Sequence, residues 1–112
     1  MEKIYQKLVR DKIPELIKKD NAKPKTRELE TEEYKIELFK KLEEEVKEMI
    51  EASNNKEELI KEIGDIYEVV DSIIEQFRLD KNEIIDLQKK RREERGGFER
   101  KIFLESVEEG SE

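Results

Sequence analysis

Apolar residues recur every three or four positions through the middle of this chain. Between Glu32 and Ala52 they fall at Leu38, Phe39, Leu42, Val46, Met49 and Ile50. Between Asn55 and Phe77 they fall at Leu59, Ile63, Ile66, Val70, Ile73 and Phe77, with Val69 and Ile74 flanking. This spacing predicts two amphipathic helices, separated by Ser53-Asn54-Asn55. Thr31 is the expected cap of the first, with Glu32 and Glu33 favourable in its first turn. Asn55 is the expected cap of the second, with Glu58 three residues on, as in a capping box. A further helix is predicted from Asp80, with Glu83 repeating that pattern, through Ile84 and Leu87 to Arg95, where Gly96-Gly97 ends it.

Ahead of these, Pro14 suits the first turn of a short helix running to Lys19. The stretch from Asn21 to Glu30 reads as a loop. Near the other end, Phe98 to Val107 is apolar at Phe98, Ile102, Phe103, Leu104 and Val107, a pattern that does not separate strand from helix. Short connections favour antiparallel neighbours. The expected architecture is all-α: an antiparallel bundle of about four helices, forming a single domain over residues 1–112 and completed by oligomerisation. Gly64 interrupts its helix at a cost of about 1 kcal/mol against Ala. A close helix crossing, or a crowded site beside Asp65, would explain it.

Composition sharpens this picture. Charged residues make up 49% of the chain, so its core must be built from narrow stripes and enlarged at a subunit interface. The net charge of -7 is unevenly spread. From Glu28 to Glu75 there are 17 acids and 6 bases, while Lys89 to Lys101 holds seven bases and three acids. An acidic middle and one short basic segment argue against binding a nucleic-acid polymer. They fit a site where cations meet a small polyanion. Neither cysteine nor histidine is present, which excludes disulfides, thiol nucleophiles, zinc fingers and imidazole bases. Met1 to Arg10 has no apolar run of the kind found in signal peptides, and no stretch approaches the ~20 apolar residues of a membrane span. The expected compartment is the cytoplasm.

Two acidic pairs carry the candidate chemistry: Glu45-x-x-Glu48 and Glu62-x-x-Asp65. A spacing of i, i+3 puts both acids of a pair on one side of a helix. At ~100° per residue, Glu62 falls among Ile66, Val69 and Ile73, on the apolar face. Glu45 borders the stripe of Leu38, Leu42 and Met49. Glu48 and Asp65 lie about 60° further round on the same side. Four carboxylates aimed at one helix seam repel each other unless something positive sits between them, and a hard divalent cation suits that role. A buried salt bridge to Lys or Arg is the rival explanation. Glu44 and Glu68 point further toward solvent, and Tyr34 and Tyr67 are expected to pack in the core rather than stack on a base.

The run Glu44-Glu45-x-x-Glu48 followed by Glu62-x-x-Asp65 resembles the EExxE…ExxD signature of the all-α nucleoside triphosphate pyrophosphohydrolases. That superfamily includes MazG, phosphoribosyl-ATP pyrophosphohydrolase and the dimeric dUTPases. Lys7-Leu8-Val9-Arg10-Asp11-Lys12-Ile13-Pro14-Glu15 and Glu94-Arg95-Gly96-Gly97-Phe98 are similar to the opening and closing motifs of its small MazG-like branch. The resemblance implies an all-helical homodimer or homotetramer. It implies cleavage between the α- and β-phosphates of a nucleoside triphosphate, giving a nucleoside monophosphate and pyrophosphate. The ion it implies is Mg²⁺, with Mn²⁺ as the alternative. Carried over by position, Glu45, Glu48, Glu62 and Asp65 are the implied metal ligands, and Glu45 is the chosen water-activating base. Lys7, Arg10 and Lys12, together with Arg95, Arg100 and Lys101, are the candidate contacts to the substrate phosphates. The alternative is a non-catalytic acidic helical module whose helices bind a protein partner. A carboxylate-bridged di-iron bundle is disfavoured, because it uses Glu-x-x-His motifs.

Overall fold

The computed structural model describes residues 1–110 and contains four α-helices, with no strand among the described residues. They are α1 (Ile13–Lys19), α2 (Thr31–Glu51), α3 (Lys56–Gln76) and α4 (Lys81–Arg95). The chain forms two compact units, Met1–Leu79 and the segment from Asp80 onward. No helix among the described residues is long and apolar enough to cross a membrane.

Local chemistry explains where each helix begins and ends. The Asn55 side chain accepts the Glu58 backbone N–H at 3.1 Å, so α3 starts as its cap predicts. Asp80 caps α4 in the same way, accepting from the N–H of Asn82 at 2.8 Å and of Glu83 at 3.4 Å. At the start of α2 the expectation fails. Thr31 is already helical, and Glu30 occupies the cap position in extended conformation with no side-chain cap bond. Here Arg27 instead grips Glu33 with two hydrogen bonds, of 3.0 and 2.8 Å, tying the preceding loop to the first turn.

Helices α1 and α3 both end in a Schellman arrangement. After α1, Ala22 donates to the Ile17 carbonyl and Asn21 to that of Lys18, with Asn21 at φ 64°. After α3, Leu79 donates to the Ile74 carbonyl and Arg78 to that of Glu75, with Arg78 at φ 55°. Asparagine tolerates that left-handed position; arginine carries the full penalty of its Cβ. Helix α4 ends on Gly96 at φ 83°, which glycine adopts freely.

In the first unit, α2 and α3 pack as an antiparallel pair joined by Ala52–Asn55. Phe39 meets Phe77 at a ring separation of 5.6 Å near the open end, while Glu45 meets Glu62 nearer the turn. The most buried residues define the seam. On α2 they are Leu38 and Glu45; on α3 they are Glu62 and Val69. Each couple is seven residues apart, two helical turns, so the seam has one apolar layer and one carboxylate layer.

That seam is narrower than the predicted stripes. Leu42, Met49, Ile63, Ile66 and Ile73 are half-buried, whereas Phe39, Val46, Ile50 and Val70 lie toward solvent. The α3 seam passes through Val69 rather than Val70. Gly64 lies on the exposed side, where an added Cβ meets nothing within 4 Å, so crowding does not account for it.

In the second unit, α4 contributes no buried residue. Residues Phe98 to Val107 form neither helix nor strand, and Phe98, Ile102, Phe103, Leu104 and Val107 are all exposed.

Candidate metal centre

Helices α2 and α3 bring Glu45, Glu48 and Glu62 together. One carboxylate oxygen from each lies within 4.8 Å of the others. Glu45 is 6% exposed and Glu62 5%, deeper than almost every apolar side chain of the protein. The i, i+3 spacing of Glu45 and Glu48 stacks them one turn apart, and the antiparallel register sets Glu62 across from them.

A salt-bridge account explains half of each buried acid. The Lys41 ammonium lies 3.5 Å from Glu45 Oε1, and Lys61 lies 3.0 Å from Glu62 Oε1. The second oxygens, Glu45 Oε2 and Glu62 Oε2, are buried with no donor from another residue, so a proton held between the two carboxyls or a cation must satisfy them. An unsatisfied buried polar atom costs about 1–3 kcal/mol, and more when charged. Hard carboxylate oxygens crowded together and short of donors fit an oxygen-loving divalent cation.

The electrostatics point the same way. Burial pushes the Glu45 carboxyl up to about 7, helped by the neighbouring Glu62 and the charge of Glu48. Glu62 is held below its ordinary value by the Lys61 ammonium, against the effect of burial. Lys61 in turn is raised by its bonds to Glu62 and Asp65. One acid of the facing pair is thus ionised at acidic pH while the other keeps its proton to near neutrality.

Asp65, the fourth acid of the two pairs, is engaged with cations. Arg10 Nη2 lies 2.9 Å from Asp65 Oδ1, and Lys61 Nζ lies 3.2 Å from Oδ2. Burial alone would raise the Asp65 carboxyl, but Lys61 and Arg10 outweigh it and hold it low. The N-terminal segment therefore does reach the acids. Lys7 bonds Glu44 at 3.1 Å, and Arg10 also approaches Glu68 at 3.8 Å. Glu44 itself is held low, because Lys7 and Lys41 together overcome its burial.

Two hollows flank the carboxylates within the first unit. A cavity of about 340 Å³ is lined by Glu48, Glu51, Glu58 and Glu62 with Ala52 and Asn55, so its charged groups are all acidic. A larger one, of about 590 Å³, reaches Glu45 and Asp65 and holds three bases, Arg10, Lys12 and Lys41. Tyr34 lines it too, half-buried, while Tyr67 is exposed rather than packed in the core. Arg95 is the last residue of α4, and Arg100 and Lys101 follow Gly96-Gly97; all three are exposed in the second unit.

Lys41 and Lys61 were not singled out from the sequence. Each stands four residues before a site acid, Glu45 and Asp65 respectively, the spacing of a helical ion pair. That spacing was the available signal.

Comparison with curated proteins and with solved structures gives no match. A family model described as Phosphoribosyl-ATP pyrophosphohydrolase matches residues 6–92, which takes in the N-terminal motif, all four central acids and most of α4. The match covers well over half of the chain. With its all-helical fold and paired acidic helices, the chain belongs to the phosphoribosyl-ATP pyrophosphohydrolase family.

Proposed function

We propose that this protein is a Mg²⁺-dependent nucleoside triphosphate pyrophosphohydrolase, cleaving the α–β phosphoanhydride to a nucleoside monophosphate and pyrophosphate. Mn²⁺ is the expected substitute ion. The observation that carries the reading is the buried pair Glu45 and Glu62, whose Oε2 atoms no cationic side chain reaches, with Glu48 beside them. A face built to bind a protein would display its acids; these are hidden. Family membership supplies the reaction class.

Glu45, Glu48, Glu62 and Asp65 are the proposed ligands. Bound among them, the ion would neutralise phosphate charge and acidify a water molecule. Glu45 is also the proposed general base, on its position in the acidic motif; its raised carboxyl describes the metal-free site. The triphosphate enters from the larger hollow, where Arg10, Lys12 and Lys41 offset part of the charge of Asp11, Glu45, Asp65, Glu68 and Glu75, whereas the smaller one has acids and no base. Lys7 and the exposed Arg95, Arg100 and Lys101 are proposed as further phosphate contacts.

The protein is also proposed to act as a homodimer or homotetramer in the cytoplasm. Leu38 and Val69 are the apolar side chains buried in the single chain, while Ile36, Ile50, Ile60 and Tyr67 on α2 and α3 remain uncovered. A second copy of the chain would cover them.

The test is pyrophosphate release from a panel of nucleoside triphosphates, with and without Mg²⁺, for wild type and Glu62→Gln. Release that needs Mg²⁺ and disappears in the variant, with helicity retained, is the expected result. No release from any nucleotide, with the variant behaving as wild type, would return the acidic interaction module as the better account.

A further inference from the structure

We propose that Arg10 is a cation shared between Asp65 and the substrate: a divalent ion at the carboxylates takes Asp65 from Arg10, and the released guanidinium binds the triphosphate. This rests on the metal-dependent reading above and adds the event that couples metal loading to anion binding.

The geometry begins with Asp65. It follows Glu62 by three residues on the same side of α3, yet the cluster within 4.8 Å comprises Glu45, Glu48 and Glu62. Both Asp65 oxygens are occupied, one by Arg10 at 2.9 Å and one by Lys61 at 3.2 Å. Lys61 belongs to the same helix, four residues back, and also holds Glu62. Arg10 comes from 55 residues away, on a segment with no helix of its own. A divalent ion outcompetes a singly charged guanidinium for an oxygen donor that it can ligate directly.

The exchange needs little else to move. The Arg10 backbone has a contact of its own, accepting the Ile13 N–H at 3.0 Å, and Lys7 makes a separate ion pair with Glu44 at 3.1 Å. The Arg10 side chain is 55% exposed, so its pair with Asp65 is screened and weakly held. Arg10, Lys12 and Lys41 line one hollow with Asp65 and the acids Asp11, Glu45, Glu68 and Glu75, so a guanidinium leaving Asp65 stays beside the other two bases, with the exposed Glu68 at 3.8 Å as its remaining acid. Its planar fork suits phosphate oxygens. Before loading, the same residue neutralises an acid; afterwards, it is available to an anion.

The experiment is a Mn²⁺ titration, read by the free-ion electron paramagnetic resonance signal without nucleotide. It compares wild type, Arg10→Gln, Asp65→Asn and the double variant. Removing the competitor should tighten Mn²⁺ binding about two- to fivefold in the wild-type background, the scale of one exposed ion pair. In the Asp65→Asn background the same substitution should change nothing. With Mn²⁺ saturating, an uncleavable α,β-methylene nucleoside triphosphate should bind Arg10→Gln more weakly than wild type. Unchanged or weaker Mn²⁺ binding in Arg10→Gln would overturn the proposal. Equal tightening in both backgrounds would also overturn it, since only long-range charge would then be at work. If wild type takes up no Mn²⁺ and Glu62→Gln is indistinguishable from it, the metal reading of the site fails first and this proposal falls with it.

Discussion

The raised carboxyl of Glu45 makes a quantitative prediction about stability. A group whose folded pKa lies above its unfolded value stabilises the fold fully below the unfolded value, and that contribution is lost as pH rises through the folded one. For Glu45 the window runs from 4.5 to about 7. At 1.36 kcal/mol per pH unit, complete ionisation of the folded site costs about 3 kcal/mol. Between pH 5.5 and pH 8 the linkage relation gives a loss of about 2 kcal/mol, a sizeable share of the ~5–15 kcal/mol that holds a typical domain together. Glu62, Asp65 and Glu44 shift the other way, so their contributions are present above their ordinary values and disappear only in stronger acid. They do not mask the effect in this window.

The assay is urea unfolding at the two pH values in chelator, for wild type and Glu45→Gln. Glutamine keeps the shape and removes the titration. Wild type should lose about 2 kcal/mol more than the variant on going from pH 5.5 to pH 8. Excess Mg²⁺ at pH 8 should restore stability to wild type and much less to the variant. Parallel pH dependence in the two proteins would refute the reasoning, since burial among acids would then not be what governs Glu45.

Three further outcomes are expected. Apparent Mg²⁺ affinity, followed by calorimetry, should weaken by up to about tenfold per pH unit below 7, because the ion must displace the Glu45 proton; an affinity flat from pH 5.5 to 8 would count against Glu45 as a ligand. Asn55→Ala should cost about 1 kcal/mol in urea unfolding by removing the α3 cap, with Asn55→Gly costing less. Arg78→Gly should stabilise the protein by about 0.5–1 kcal/mol, since it relieves a left-handed arginine at an exposed helix end; a loss of stability would show that the Arg78 side chain contributes more than its backbone strain removes.

What was readable from the sequence was what is local. The helices appeared within a residue or so of their bounds, because caps and apolar spacing act over a few positions. Glu45 and Glu62 were legible as buried acids because a helix wheel places them on the apolar side. The wheel failed where the answer depends on a partner. It assigned Val70 to the seam, since it cannot tell which edge of a broad stripe the neighbouring helix covers. Thr31 looked like a cap by residue type, but the chain enters α2 one residue earlier and is steadied there by Arg27 on Glu33. The Arg10–Asp65 pair joins positions 55 apart, and no periodicity reports that. Phe98 to Val107 is apolar without a period, and the segment has no regular structure.

The composition of the seam ties stability to the site. In most small domains the deepest positions are apolar, and function occupies the rim. Here two of the four most buried residues are carboxylates two turns from the apolar layer. Each has one oxygen on a lysine and a second that no cationic side chain reaches, so burying the pair is costly. The lysines limit that cost without abolishing it, because Lys41 and Lys61 reach only the Oε1 side of each acid. Replacing Glu45 and Glu62 together by a well-packed apolar pair should therefore yield a more stable, metal-indifferent and inactive protein, since two buried like-charged groups are removed while Lys41 keeps Glu44 and Lys61 keeps Asp65. A double variant that unfolds instead would mean that the two carboxylates contribute more to the packing of α2 on α3 than their burial costs.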